Sequence, residues 1–313
     1  MKCLIIDAVH SSISEELSKY MQVDTHMLPT QAELVKLIPD YDALVMRVDP
    51  AINKEILDAA KKLKVIGVCA VGLNHVDLDA AKAKGIQVFN APGLNANAVA
   101  ELTISKMLDL CRHTIPANTD VKVNHKWDKY KFVGRELRGK TLGILGFGRI
   151  GRRVGELARA FKMDVVAYDP YLKSGDFEKE HAKGMGIDEV LKVSDFVTIH
   201  MPLTPETKNL FNAESIAKMK PDAAVLNMSR GGIVNEHDMY EALKAKKIGG
   251  YASDVMENEL AAGGLSEGAG FVSPLFDCDN FIVTPHLGAQ TVDASRDIGE
   301  YITGKLKETL NLH

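Results

Sequence analysis

The run GFGRIG, Gly146 to Gly151, follows a short apolar segment and precedes an amphipathic one, and this junction restricts the fold more than any other part of the chain. Thr141 to Leu145 reads as a buried strand that runs straight into the glycines. From Ile150 onward, Val154, Leu157, Ala158 and Phe161 fall at helical spacing on one apolar face. A second strand, Asp164 to Tyr168, ends at Asp169, about 20 residues beyond the loop. Strand, glycine loop, helix and a strand ending in an acid is the order a dinucleotide site needs. Gly146 allows the tight turn, Gly148 lets the backbone approach a pyrophosphate, and Gly151 lets helix and strand pack closely. The phosphates rest on the helix N-terminus, where unpaired N–H groups and the dipole favour an anion. Asp169 accepts hydrogen bonds from a ribose diol and repels a 2′-phosphate, which favours NAD over NADP. A glycine-rich turn in an ordinary α/β protein is the plainer reading of the same six residues, and the flanking elements argue against it.

Strand-like and helix-like segments alternate along the whole chain, which implies α/β domains with parallel sheets covered by helices. In the first hundred residues the strands read as Cys3–Ile6, Ala43–Arg47, Val65–Cys69 and Gln87–Asn90. Helical stretches lie near Ser14–Met21, Gln31–Ile38, Asn53–Leu63 and Asp79–Lys84, and Thr30 with Glu33 makes a capping box for the second. A long helix, about Asn97 to Cys111, leads away to a second unit that contains the glycine loop. Its later strands read as Phe196–His200, Ala224–Asn227, Gly249–Ser253 and Phe281–Thr284, and a final helix runs from about Thr291 to Leu310. The glycine- and alanine-rich stretch Ala261–Gly270 has no periodicity and reads as a flexible surface loop.

Length and composition fit this plan. A chain of 313 residues with 46% hydrophobic content can fill two cores, and no apolar run reaches the roughly 18 residues of a membrane span. Met1 to Asp7 reads as a first strand, not a signal peptide. A net charge of −4 makes no electrostatic case for nucleic acid or an anionic membrane. The four cysteines (Cys3, Cys69, Cys111, Cys278) are scattered without a C-x-x-C pair and read as free thiols. The histidines form no metal-binding spacing, so no metal is expected. A cytoplasmic protein is the expectation.

If NAD binds, hydride transfer needs a cation for a substrate carboxylate and carbonyl, a general acid/base, and a group that tunes the acid. In doubly wound sheets these belong at the C-terminal ends of strands. Arg230 follows the strand ending at Asn227, Glu259 the strand ending at Ser253, and His286 the strand ending at Thr284. Each has a plainer reading alone: a turn-capping arginine, a solvated acid, a satisfied loop histidine. Three such residues at consecutive strand ends weigh more than their sum.

With these residues in place, the chain resembles the D-isomer-specific 2-hydroxyacid dehydrogenases. The resemblance rests on VGLNHVDLDAAKAKGIQVFNAPG (Val71 to Gly93), AVAEL (Ala98 to Leu102), GKTLGILGFGRIG (Gly139 to Gly151), HMPLTPETKNL (His200 to Leu210), NMSRGGIVNE (Asn227 to Glu236) and TPHLGAQT (Thr284 to Thr291). It implies a Rossmann NAD-binding domain, residues 98–287, inserted into a flavodoxin-like substrate domain, residues 1–97 completed by 288–313, with a closing cleft between them. It implies that His286 is the general acid, that Glu259 pairs with it and raises its pKa, and that Arg230 binds the 2-keto acid. Val71 and Gly72 match the loop that receives the substrate carboxylate. Gly146, Gly148, Arg149, Ile150, Gly151, Asp169, Met201, Met228, Ser229, Arg230, Asp254, His286, Gly288 and Ala289 match cofactor contacts, with Asp254 facing the nicotinamide amide. The usual assembly is a homodimer.

Within the family, Lys126 to Gly151 and Leu44 to Gly67 are most similar to the 3-phosphoglycerate dehydrogenases of serine biosynthesis, and Arg47 matches a substrate-facing arginine. The sequence ends at His313, where longer members continue into regulatory domains, so serine feedback through such a domain is not expected. Three positions depart from the family pattern: Leu260 replaces a proline, the loop to Phe271 is long, and Val48-Asp49 follows Arg47. An acid beside Arg47 leaves other 2-keto acids open: glyoxylate, hydroxypyruvate, a sulfonated lactate precursor or a branched acid. Glu259 disfavours a formate dehydrogenase, which pairs its histidine with glutamine. A non-catalytic NAD(H)-sensing scaffold is the reading from a different class.

Overall fold

A computed structural model describes residues 1–259 and 271–313, so the expected loop Ala261–Gly270 lies outside the described residues. The chain divides into two compact units, Met1–Asn95 with Ala289–His313 and Ala96–Gly288.

The first unit carries β1 (Lys2–Ile5), α1 (Ser12–Leu17), β2 (Gln22–Thr25), α2 (Gln31–Leu37), β3 (Ala43–Met46), α3 (Lys54–Ala59), β4 (Val65–Val68), α4 (Leu78–Ala83) and β5 (Gln87–Phe89). Its five strands pair in parallel in the order β2-β1-β3-β4-β5, the flavodoxin-like order. The central strands β1, β3 and β4 are short and apolar because helices cover both faces. Leu4, Leu44 and Ile66 point to one core, and Cys3, Ile5, Val45 and Val65 to the other. The chain's last helix lies against β4, where a Cβ on Gly67 would stand 2.5 Å from Ile302 Cγ2. The capping box of Thr30 and Glu33 is present at α2.

The second unit runs through α5 (Ala96–Arg112), α6 (Thr114–Lys122), β6 (Thr141–Leu145), α7 (Arg149–Ala160), β7 (Asp164–Tyr168), α8 (Ser174–Glu178), β8 (Lys183–Gly184), α9 (Ile187–Val193), β9 (Phe196–Ile199), α10 (Ala213–Ala217), β10 (Ala224–Asn227), α11 (Glu236–Lys244), β11 (Gly250–Ser253) and β12 (Phe281–Val283); α12 (Val292–Leu310) then closes the first unit. Its parallel sheet has the order β12-β11-β10-β9-β6-β7-β8. The order reverses between β6 and β9, which places a crevice at the ends of those two strands. Leu142 and Ile144 of β6 enter one core and Leu145 the other. No described helix is long and apolar enough to cross a membrane.

Several local expectations need correction. Phe161 is not part of the buried face of α7: it caps the helix C-terminus and is exposed. Gly151 and Gly155 take buried positions on that face instead, so the packing is closer than a phenylalanine allows. The helix expected at Asn53–Leu63 stops at Ala59, and the one expected at Ser14–Met21 spans Ser12–Leu17. The strand β2 was not foreseen. It is an edge strand, QVDT, bonded on one side only, so no apolar run marks it.

Candidate active site

The strand β6 delivers the chain into the glycine loop at the point where the strand order reverses. Gly146 has φ +91°, and a Cβ there would stand 2.8 Å from the backbone of His200 and 2.9 Å from Met201 Cγ. A Cβ on Gly151 would stand 2.2 Å from the Gly146 carbonyl oxygen, so helix and loop touch backbone to backbone. Gly148 differs, because a Cβ there would meet nothing within 4 Å. Gly148 and Arg149 are exposed, Ile150 is half-buried, and Gly148 caps α7 without any side-chain hydrogen bond. The result is an open helix N-terminus with no acidic residue in its first turn. That geometry fits a pyrophosphate. Asp169 follows β7 and ties the loop down. Its Oδ2 accepts the Phe147 N–H at 2.9 Å and its Oδ1 the Tyr171 N–H at 3.0 Å. A carboxylate has further lone pairs, so a ribose diol remains within its capacity.

His200 closes this corner from β9. Its Nε2 shares a hydrogen bond with Thr198 Oγ1 at 3.0 Å, while its Nδ1 is buried without a partner. Desolvation pushes its pKa down to about 3, so the ring is neutral near pH 7.

Arg230, Glu259 and His286 lie after β10, β11 and β12, three adjacent strands. His286 Nδ1 lies 3.1 Å from Glu259 Oε1, and Glu259 Oε2 accepts the Met256 N–H at 3.1 Å. Burial alone would raise the Glu259 pKa. The His286 hydrogen bond and charge, the Met256 N–H and the charge of Arg230 outweigh burial and hold it below the ordinary glutamate value. Glu259 is therefore an anion near neutrality and accepts a proton-bearing Nδ1. The other ring nitrogen, Nε2, is left for chemistry. The Arg230 guanidinium is exposed, with Nη1 donating to the Ser229 carbonyl at 2.7 Å.

Buried polar residues shape the loops that carry these three. Asp254 is buried at the end of β11. Its Oδ1 accepts from Thr284 Oγ1 at 2.6 Å and Leu287 N at 2.8 Å, and its Oδ2 from Gly288 N at 2.7 Å. These bonds, with His286 N–H donating to the Asp254 carbonyl at 2.9 Å, hold His286 at φ +54°. Asn227 does the same for the arginine loop: its Oδ1 accepts from Ser229 Oγ at 2.9 Å and its Nδ2 donates to the Arg230 carbonyl at 2.9 Å. Met201, Met228 and Ser229 are buried beside these turns. Gly231 fits only as glycine, because a Cβ would stand 2.1 Å from the Met256 carbonyl oxygen. The role of Asn227 went unread in the sequence, where its only signal is a polar residue at a strand end.

Arg47, Val71 and Gly72 belong to the first unit, as does Ala289. Arg47 follows β3 beside the point where that sheet's order reverses. Asp7, at the end of β1, accepts the N–H groups of Arg47, Val48 and Asp49 on its Oδ2 at 3.0, 2.7 and 3.2 Å. The Arg47 guanidinium donates to Gln290 Oε1 at 3.0 Å. Val71 is exposed, its carbonyl accepts Asn90 Nδ2 at 2.6 Å, and Gly72 faces open space. No group of three metal-ligating side chains occurs among the described residues.

Comparison with known proteins matches residues 104–288 to the family model of the D-isomer specific 2-hydroxyacid dehydrogenase NAD binding domain. A D-3-phosphoglycerate dehydrogenase of Methanocaldococcus jannaschii is 39% identical over 99% of this chain and 57% of its own. A hydroxypyruvate reductase of Thermotoga maritima is 39% identical over 90% of this chain and 88% of its own. A D-lactate dehydrogenase of Aquifex aeolicus, solved with NAD and lactic acid, superposes with TM-score 0.82 at 28% identity, covering 99% of this chain and 96% of its own. The chain spans little more than half the length of the phosphoglycerate dehydrogenases it matches.

Proposed function

The chain belongs to the D-isomer-specific 2-hydroxyacid dehydrogenases, and from that premise we propose that it interconverts a 2-keto acid and its D-2-hydroxy acid with NAD. The observation that carries the proposal is the His286–Glu259 pair with Arg230, on three consecutive strand ends of the sheet that also carries the glycine loop. Bound at that loop by Gly146 to Gly151 and Asp169, the cofactor supplies or accepts the hydride. Arg149, Ile150, Met201, Met228, Ser229, Asp254, Gly288 and Ala289 are the further contacts proposed for it. Arg230 holds the substrate carboxylate and polarises its carbonyl, since a planar guanidinium matches a carboxylate bidentately. In the reductive direction, His286 Nε2 gives its proton to the carbonyl oxygen. The Glu259 carboxylate fixes the ring and keeps the proton on Nδ1. Arg47, Val71 and Gly72 are the proposed substrate contacts of the first unit.

We take 3-phosphohydroxypyruvate and 3-phosphoglycerate as the first substrate pair, which places the enzyme in serine biosynthesis. Similarity over nearly the whole chain supports this reading, and so does the guanidinium at Arg47. Hydroxypyruvate is the second reading, favoured by the similar-length reductase and by Asp49 beside Arg47. A cytoplasmic homodimer is the proposed state. Trp127, Tyr130 and Val133, large apolar side chains exposed by 86%, 77% and 75% among charged neighbours, are proposed to be covered by a second copy. NADH oxidation followed by absorbance across a panel of 2-keto acids tests the substrate. We expect the highest kcat/KM with 3-phosphohydroxypyruvate. A higher value with hydroxypyruvate selects the second reading, and no turnover of any 2-keto acid overturns both.

A further inference from the structure

The turn that carries Glu259 is fastened from outside by a second glutamate. Glu236 opens α11, 21 residues before Glu257 in sequence, and the two make a reciprocal pair. The Glu257 N–H donates to Glu236 Oε1 at 2.6 Å, and the Glu236 N–H donates to Glu257 Oε1 at 3.2 Å. Such a clasp is costly. Burial raises the Glu236 pKa, opposed by the Glu257 N–H, and the charges of Glu257 and Glu259 add to the rise. Like charges this close disfavour the ionised form, and the Glu257 N–H that Glu236 accepts offsets part of that cost.

The clasp joins the two loops that matter for the chemistry. One runs from Asn227 through Arg230 and Gly231 to Glu236. The other runs from Asp254 through Met256 to Glu259. Their backbones already touch, since a Cβ on Gly231 would stand 2.9 Å from the Glu257 nitrogen. Among the described residues Glu259 is held to Met256 at both ends: its Oε2 accepts the Met256 N–H at 3.1 Å and its N–H donates to the Met256 carbonyl at 3.3 Å, while Oε1 is committed to His286. Those bonds lie within the turn; the Asp254 N–H to Asn227 carbonyl bond at 3.0 Å joins the loops at their strand ends, and Glu236 joins them again at the far end, beside Glu259. We propose that Glu236 is a positioning residue, which acts through the Glu257 backbone to set Glu259 against His286.

The inference rests on the proposed dehydrogenase reading, and its test separates the two. In Glu236→Ala the Glu257 N–H loses its acceptor, whereas Glu236→Gln keeps a carbonyl oxygen there without the charge. Misplacement of catalytic groups by about 1 Å costs up to about a hundredfold in rate. We expect Glu236→Ala to lower kcat by about tenfold or more, with KM and NADH affinity within about twofold, and Glu236→Gln to restore most of it. Glu236→Asp, one methylene short of the N–H, should behave like alanine. An NMR reading of the His286 Nδ1 proton needs no turnover: its bonded resonance should weaken in Glu236→Ala and Glu236→Asp and persist in Glu236→Gln. Wild-type kcat and an unchanged resonance in Glu236→Asp overturn the inference, even if Glu236→Ala does not fold. If the native protein turns over no 2-keto acid, the dehydrogenase reading fails, and the resonance alone decides the clasp.

Discussion

His286 and Glu259 show how much of a candidate catalytic pair is made by the residues around it. The imidazole is placed because Asp254 shapes the turn beneath it and Glu259 holds its Nδ1, and both supports are carboxyl groups in partly or wholly buried places. The sequence placed Arg230, Glu259 and His286 just beyond three strand ends, and the structure brings Glu259 against His286 there. The contacts of Asp7, Gln290 and Glu236 were not legible in it. Their partners lie 40, 243 and 21 residues away, and no local pattern records such distances. His200 gives a prediction at this scale. Its pKa falls to about 3 in the folded chain and returns to about 6.5 on unfolding. Between those values the unfolded chain binds more protons, so stability declines as pH drops below about 6.5 and is fully present above it. Urea titrations across pH 3–7 should show the wild type losing up to about 1.4 kcal/mol per pH unit more than His200→Gln. Equal slopes would show that the ring is not held neutral.

At the scale of the element, the glycine loop performs two tasks with similar residues. Gly151 allows contact within the fold, and Gly148 leaves room for something outside it. Their substitutions should therefore fail differently. Gly151→Ala pushes a Cβ into the Gly146 carbonyl and should cost about 2 kcal/mol or more in urea unfolding. Gly148→Ala meets no atom and should change stability little, while weakening NADH binding at least about tenfold by fluorescence titration. Matching losses in both variants would contradict the division. Strands buried on both faces were read almost to the residue, because burial on two sides demands an unbroken apolar run. The five- to seven-residue helices α8, α9 and α10 were not, since two turns carry too little periodicity. Phe161 misled for the opposite reason: it continues a helical pattern that the backbone has already ended.

For the whole molecule, alternating strands and helices made two doubly wound sheets legible, and both are present with parallel pairing throughout. The return of the C-terminal helix to the first unit came from family resemblance rather than from periodicity. Assembly is tested most simply by light scattering: we expect a dimer, and a monomer for the Trp127→Glu/Tyr130→Glu double variant with its circular dichroism unchanged. A monomeric wild type would remove the proposed interface. The central claim, that the second unit performs hydride chemistry as well as holding NAD, is tested most directly by His286→Ala. With NADH and the best 2-keto acid, kcat should fall by about 10³-fold, with a much smaller loss of NADH affinity. Turnover at the wild-type rate by His286→Ala would contradict it.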